Sequence, residues 1–181
     1  KLIQKEGAYA ILGDPTEGAM IVAAAKAGLR QDDLNGRHPR IGDLPFDSDR
    51  KMMSTYHSGF AEAPILSLTK GAPDIILARC KTWMTYGGPD QLSEKMREAI
   101  LEANHELASS ALRVLAFACK YHQTEVTDAE DELTFVGLMG MIDPARPEAR
   151  DAVTICTEAG IRAVMITGDY RDTAVAIARD L

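Results

Sequence analysis

Residues 51–70 read Lys-Met-Met-Ser-Thr-Tyr-His-Ser-Gly-Phe-Ala-Glu-Ala-Pro-Ile-Leu-Ser-Leu-Thr-Lys, and this stretch decides how the first part of the chain folds. Its two ends, 51–58 and 64–70, are strand-like runs. The five residues between them, Gly-Phe-Ala-Glu-Ala, suit a hairpin loop of moderate length. The stretch therefore predicts two antiparallel neighbours in a sheet.

Helical segments lie on both sides of this pair. Asp14 can cap a helix that starts at Pro15, Glu17 stands at the capping-box position, and Gly28 is a natural stop. Further helices are predicted over 72–80 and 93–109, where apolar residues of the second recur on one face. A strand follows at 112–121. The polar stretch 32–42, which contains Asn35-Gly36, is predicted to be a loop.

Beyond an acidic connector the rhythm changes. A strand over 134–142, a helix over 145–159, a strand over 161–167 and a helix from Tyr170 follow one another with short loops. Such alternation is typical of a parallel, doubly wound sheet. It places a domain boundary between residues 142 and 143.

Composition restricts the classes of protein. The chain has 181 residues and a net charge of −7, which argues against the basic face that a nucleic-acid polymer requires. No apolar run approaches the roughly 18 residues of a membrane helix. The chain begins without Met and ends inside a helical pattern, so we expect a piece of a longer protein.

Cysteine and histidine usage predicts no metal site. The three cysteines are odd in number and far apart, which fits a reducing cytoplasm better than disulfide bonds. The four histidines have no metal-ligand spacing with one another or with a cysteine.

Isolated cations near one aromatic ring are the main functional signal. Lys51, Lys70 and Arg113 lie in short strand-like stretches, and Phe46 is close to the first of them. In an acidic chain this pattern favours a small polyphosphate that carries a flat base. Taken alone, Phe46 also suits the core, and Lys51 also suits a solvated strand end.

Lys70 carries a stronger signal, because Lys70-Gly71-Ala72-Pro73 leads from a strand directly into a helix N-terminus. Unpaired N–H groups, a helix dipole and an ammonium at one point can bind an anion. Arg113 interrupts apolar residues and needs a carboxylate or a ligand phosphate as partner. Glu17 could accept a bond from a base amine, although its position in the cap already explains it.

Two short motifs in the last part of the chain stand where a strand ends and a helix begins. They are Asp143-Pro144-Ala145-Arg146 and Thr167-Gly168-Asp169. Ligands bind at such carboxyl ends in open α/β sheets. Asp143 could also be only a helix cap.

Six segments, taken in their order along the chain, resemble segments of the P-type cation-transporting ATPases. Their sequences are similar to those of the calcium-pump branch, including its bacterial members. They are Gly13–Ala19, Phe46–Lys51, Lys70–Pro73, Leu112–Ala116, Asp143–Arg146 and Thr167–Asp169. The resemblance covers nearly the whole chain.

The resemblance implies roles for these residues. Phe46 would stack on the adenine of ATP, with Glu17 near the base amine. Lys51, Lys70 and Gly71 would line the adenosine pocket, and Arg113 would reach toward the phosphates. Asp143 and Arg146 would form a hinge, while Thr167, Gly168 and Asp169 would support the phosphoryl-transfer site.

It also implies a fold and partners. We expect an α+β nucleotide-binding domain over 1–142, an antiparallel sheet flanked by helices, followed by an incomplete α/β haloacid-dehalogenase-like segment over 143–181. The family's Asp-Lys-Thr-Gly-Thr phosphorylation motif and its later Gly-Asp-Gly-Val-Asn-Asp segment do not occur in the sequence. The chain would thus present ATP, with Mg²⁺ in the full-length protein, to an aspartate elsewhere.

The partners would be the remaining phosphorylation, actuator and transmembrane domains of one plasma-membrane protein, of which this chain is a cytoplasmic part. Two alternatives stay open. One is a soluble haloacid-dehalogenase-type phosphatase with a large cap. The other is a non-catalytic adenine-nucleotide-binding module.

Overall fold

The computed structural model describes residues 2–5, 8–110, 112–123, 126, 130–142, 146–166 and 171–181. The strands are β1 (Leu2–Lys5), β2 (Ala8–Ile11), β3 (Arg40–Asp47), β4 (Met52–Ser58), β5 (Ile65–Gly71), β6 (Cys80–Thr85), β7 (Gly88–Gln91), β8 (Arg113–His122) and β9 (Leu133–Met141). The helices are α1 (Pro15–Lys26), α2 (Gln31–Arg37), α3 (Pro73–Ala78), α4 (Glu94–Ser109), α5 (Pro147–Glu158) and α6 (Arg171–Asp180).

Seven strands form one sheet in the order β3-β4-β5-β8-β9-β6-β7, and β1 pairs with β2 separately. The pairs β3–β4, β4–β5, β5–β8 and β6–β7 are antiparallel, but β6 and β9 run parallel. The expected antiparallel sheet flanked by helices is therefore found as a mixed sheet with flanking helices. Between β6 and β9 the chain passes through β7, α4 and β8, a connection long enough to return in the same direction.

The predicted hairpin is confirmed. β4 and β5 pair without a shift from Met52 opposite Gly71 to Ser58 opposite Ile65. Because side chains alternate along a strand, Met53, Thr55 and His57 share a face with their partners on β5. These partners are Lys70, Leu68 and Leu66.

The predicted start of α1 is also confirmed. The Asp14 carboxylate accepts hydrogen bonds from the backbone N–H groups of Thr16 (2.8 Å) and Glu17 (3.1 Å), and Pro15 occupies the first turn. The helix ends at Lys26, and Gly28 follows with a φ of +80° that suits glycine.

Two local expectations are wrong. Within 32–42, α2 forms where a loop was expected, with Asp32 and Asp33 in its first turn and Arg37 in its last, which suits the helix dipole. Residues 161–166 are not a strand, because no described strand lies beside them to form a ladder. The strand expected at 134–142 is β9, which lies between β8 and β6 in the large sheet.

The fully buried side chains come from the sheet and from α3. They include Met52, Ile76, Leu77 and Leu133, each at most 2% exposed. Cys80 and Cys119 are buried free thiols. In the described ranges, no helix combines the length and the hydrophobicity needed to cross a membrane.

The chain divides into two compact units. The first contains Lys1–Leu92 and Ala116–Gly137, and the second contains Ser93–Leu115 and Leu138–Leu181. Within the second unit, α4 contacts α6. The boundary between residues 142 and 143 stays a prediction.

Candidate functional site

The first unit contains a cavity of about 780 Å³. This volume lies in the range of small-molecule sites, about 300–1,000 Å³. The wall is formed by Glu17, Met20, Ile21, Ala24, Leu29, Gln31, Leu34, Asn35, His38, Arg40, Met53, Thr55, His57, Phe60, Leu66, Leu68, Thr69, Lys70, Phe117, Ala118 and Val136.

The cavity lies between α1 and one face of the central strands. α1 contributes Met20, Ile21 and Ala24, and the strand face contributes Met53 and Leu68 among others. Leu68 remains 43% exposed although it sits in a central strand. An apolar surface of this kind, next to a few polar groups, is suited to a flat organic ring.

Lys70 and Glu17 form an ion pair in the wall of this cavity. The Lys70 side chain is 20% exposed and that of Glu17 is 53% exposed, so the pair is accessible mainly from the helix side. Lys70 pairs with Met53 on β4 and with Phe117 on β8, which fixes its place on the strand face. The structure therefore brings together two of the predicted site residues.

The wall also contains an aromatic cluster that the sequence did not indicate. The rings of His38 and Phe60 stack with centroids 4.1 Å apart and an interplanar angle of 11°. Nδ1 of His57 lies 3.1 Å from the backbone oxygen of His38. His38, His57 and Phe60 come from separate segments of the chain. The only sequence signal for any of them is the alternation along β4, which puts His57 on the same face as the partner of Lys70.

Gly71 brings the end of β5 against the turn that precedes β4. A Cβ at Gly71 would lie 2.5 Å from the Lys51 carbonyl oxygen and 2.6 Å from Met52 Cβ. The next residue, Ala72, donates its N–H to the Lys51 carbonyl at 3.0 Å. Glycine at position 71 thus allows the backbones of the predicted site residues Lys51 and Lys70 to approach closely.

The turn between β3 and β4 is built around Asp47. Its carboxylate accepts bonds from the N–H groups of Asp49 and Arg50, both at 2.9 Å. These two hydrogen bonds stabilise the charged carboxylate and hold the pKa of Asp47 below its usual value, and the bond from Arg50 has the larger effect. Lys51 closes the turn with a φ of +54° and donates its N–H to the Asp47 carbonyl at 2.7 Å.

Phe46 and Lys51 are exposed and do not belong to the cavity wall. Phe46 is 64% exposed. It lies on β3 between Leu44, which pairs with Ser54, and Asp47, which pairs with Met52. The register shifts between these two pairs, so Pro45 and Phe46 together stand opposite Met53, whose partner on β5 is Lys70.

The other predicted residues lie elsewhere. Arg113 is exposed at the start of β8 and belongs to the second unit. Arg146 is exposed immediately before α5. Asp143, Thr167, Gly168 and Asp169 lie outside the described residues. Among the residues that are described, no three His, Cys, Asp or Glu side chains are grouped to hold a metal ion.

Comparison with known proteins identifies relatives of this chain. Residues 2–148 match the family model of the P-type ATPase cytoplasmic domain N. The chain is 48% identical over 172 residues to calcium-transporting ATPase 1 of Bacillus cereus, which covers 93% of this chain and 19% of that protein.

Two further relatives are similar over the same region. Identity is 43% over 183 residues to a calcium-transporting ATPase of Bacillus subtilis, covering 98% of this chain and 20% of the relative. The chain is also 43% identical over 176 residues to a cation-transporting ATPase of Synechocystis, covering 94% of this chain and 19% of the relative. The chain therefore spans about a fifth of the length of the curated relatives it matches.

Proposed function

Since the chain belongs to the P-type ATPase cytoplasmic domain N family, we propose that it binds ATP in the cavity between α1 and the strand face. The adenine lies against the apolar side chains of α1 and β5. Glu17 accepts a hydrogen bond from the base amine. Lys70, at the floor of the cavity, gives up part of its contact with Glu17 and interacts with the ligand. Phe46 stacks on the exposed side of the base.

The observation that carries this proposal is the ion pair between Lys70 and Glu17 in the wall of an otherwise largely apolar cavity. A purine needs an apolar surface for its faces and a polar partner for its edge, and this wall offers both. Lys51 and Gly71 support the site from the adjacent turn, where the Gly71 backbone approaches Lys51.

The role of the whole protein follows from the same family. We propose that the domain presents ATP to an aspartate outside this chain, within a membrane protein that transports cations. Calcium is the cation favoured by the names of two of the relatives. The phosphorylation, actuator and transmembrane domains of the same protein are its proposed partners.

Several proposed roles rest on the family resemblance alone. Arg113 is proposed to contact the phosphates, Asp143 and Arg146 to form a hinge, and residues 143–181 to be part of a haloacid-dehalogenase-like phosphorylation domain that contains Thr167, Gly168 and Asp169. Mg²⁺ would accompany ATP. The described residues offer no ligand cluster for this ion, so no step is assigned to it.

The family model favours this function over the two alternatives. It describes a domain of a P-type ATPase and covers the site residues from Glu17 to Arg113. A soluble phosphatase with a large cap, or a non-catalytic nucleotide-binding module, gives no account of relatives that are cation-transporting ATPases.

Titration of the chain with ATP by calorimetry tests the proposal, with Phe46→Ala as the variant. Stacking of a base on an aromatic side chain contributes about 1–3 kcal/mol, so the variant should bind ATP at least about fivefold more weakly. The matched control is Tyr86→Ala, which removes a fully exposed ring from the turn between β6 and β7. Equal affinities of Phe46→Ala and the wild type would refute the role of Phe46, and absence of ATP binding by the wild type would refute the function.

A further inference from the structure

Glu130 is buried in the first unit and, by way of Ser54 on β4, connects the turn that carries Lys51 with the strand β5 that carries Lys70. We propose that Glu130 is a positioning residue for the nucleotide site, a role that rests on the proposed function. It contacts neither Lys70 nor Lys51 directly, but acts through Arg50, Ser54 and Thr69.

Both oxygens of the Glu130 carboxylate are engaged. Glu130 is 8% exposed, and its Oε2 forms an ion pair with Nη1 of Arg50. Oε1 accepts a hydrogen bond from the Ser54 hydroxyl at 3.0 Å, and Ser54 Oγ lies 2.8 Å from Thr69 Oγ1. Ser54 and Thr69 are at most 1% exposed. The result is one buried polar network.

Each end of this network is next to a residue of the nucleotide site. Arg50 precedes Lys51, and its Nη2 donates to the Pro45 carbonyl at 2.7 Å, immediately before Phe46. Thr69 precedes Lys70 on β5. Because Thr69 directly precedes Lys70, the hydrogen-bonded contact of Thr69 with Ser54 also fixes the backbone from which Lys70 projects.

The charge on Glu130 adds to the hydrogen bonds of Asp47 in holding this turn. A carboxylate and a guanidinium in close contact bind more strongly and with more defined geometry than neutral groups. The same hydrogen bond raises the pKa of Arg50 above its ordinary value. Arg50 in turn donates to the Pro45 carbonyl before Phe46 and directly precedes Lys51.

Fold stability alone does not account for a carboxylate at this place. Burial of an ion pair is a weak source of stability, because the desolvation of two charges offsets their attraction. Fully buried neighbours in the fold such as Met52, Ile76 and Leu133 are, by contrast, apolar. The network instead ends next to two predicted site residues, Lys51 after Arg50 and Lys70 after Thr69.

The two residues after Glu130 provide matched controls. Asp131 pairs with Arg79 and Glu132 pairs with Lys81, and the side chains of Asp131 and Glu132 are 62% and 58% exposed. Asp131→Asn and Glu132→Gln therefore remove the same charge one and two residues away, without reaching the site segments.

The test compares Glu130→Gln with these controls in ATP titrations and in ¹H–¹⁵N spectra of the chain without nucleotide. Gln keeps the size and an acceptor for Ser54 but removes the charge that holds Arg50. We expect Glu130→Gln to weaken ATP binding about tenfold and to shift the amide signals of Phe46, Lys51 and Lys70, while the controls stay within about twofold of the wild type.

A double variant identifies the route of the effect. If Glu130 acts through Arg50, Arg50→Gln combined with Glu130→Gln should bind ATP no more weakly than Glu130→Gln alone. Additive losses would overturn this route. An ATP affinity of Glu130→Gln within about twofold of the wild type would overturn the proposal.

Ser54→Ala provides a second test should Glu130→Gln fail to fold. It cuts the link between Glu130 and Thr69 and should shift the Lys70 amide signal; an unchanged signal contradicts the proposal. If the wild type itself binds no ATP, the proposed function fails. The amide shifts without nucleotide then decide, independently, whether Glu130 positions the turn and β5.

Discussion

Glu17 on the first turn of α1 and Lys70 near the end of β5 form an ion pair although 53 residues separate them in the chain. The carboxylate that the sequence explains as part of a helix cap thus meets the ammonium that the sequence assigns to an anion site. The cap itself is made by the Asp14 side chain. Glu17 is therefore available to a ligand at the cavity.

Glu17→Gln should alter which base the site prefers. A carboxylate accepts a bond from the exocyclic amine of adenine and repels the carbonyl oxygen that hypoxanthine carries in its place, whereas an amide can bond to either. The preference for ATP over ITP should fall, while the half-exposed ion pair contributes no more than about 1 kcal/mol to the free energy of unfolding. Calorimetric titration with both nucleotides measures the preference; an unchanged ratio would mean that Glu17 does not contact the base.

Gly71→Ala should destabilise the first unit. Its Cβ would meet the Lys51 carbonyl oxygen at 2.5 Å, so the backbones must separate. The expected loss is about 1–3 kcal/mol in the free energy of unfolding. Gly137→Ala on β9 is the control, because its Cβ has no described heavy atom within 4 Å. Urea denaturation measures both, and similar stabilities of the two variants would contradict the close approach at Gly71.

Lys51 allows backbone conformation and charge to be separated. Its φ of +54° lies in the left-handed region, which costs a residue such as lysine or alanine about 1–2 kcal/mol relative to glycine. Lys51→Gly should therefore be more stable than Lys51→Ala by about 1 kcal/mol, while both variants lose the charge and bind ATP more weakly. Denaturation and ATP titration of the two variants provide the measurements. Wild-type affinity in Lys51→Gly would exclude Lys51 from the site.

His122 should make stability depend on pH. Burial, assisted by the charge of Lys120, lowers its pKa from 6.5, and its Nε2 lies 3.0 Å from the Ser67 hydroxyl. The unfolded chain thus binds a proton before the folded chain does. The stabilisation is complete above pH 6.5 and is lost as the pH falls toward the lowered pKa.

The pH effect is measured from denaturation curves at several values between about pH 7.5 and 5.5, around the ordinary histidine pKa. His122→Gln should flatten the decline in this range. His105→Gln, which replaces an exposed histidine of α4, should leave it unchanged. If the stability of both variants falls with decreasing pH as that of the wild type does, a group other than His122 causes the pH dependence.

The sequence predicts elements well where local chemistry and packing agree. The cap at Asp14 and the alternating pattern of β4 and β5 depend on residues close together in the chain, and the structure confirms both. In α2 local chemistry and packing disagree. Asn35-Gly36 favours a turn, whereas Leu34 next to it packs into the cavity wall as part of a helix. Tertiary contacts therefore determine the helical conformation of α2, and a local sequence pattern carries no information about such contacts.

The candidate site shows the same division. Lys70 is indicated by strand-to-helix chemistry and Glu17 by the family resemblance, and the structure brings them together. The stack of His38 on Phe60 joins segments whose meeting depends on the whole sheet, and neither residue has a local signal. The parallel pairing of β6 with β9 was missed for the same reason, since it depends on the path of the chain through α4 and β8.

β3, the edge strand that carries Phe46, has a further consequence. A regular edge strand offers its free N–H and C=O groups to any extended chain and so favours aggregation. β3 has two register irregularities, and Pro45 has no N–H to donate. The protein can therefore expose a large aromatic ring at the border of its sheet without also presenting a template for another strand.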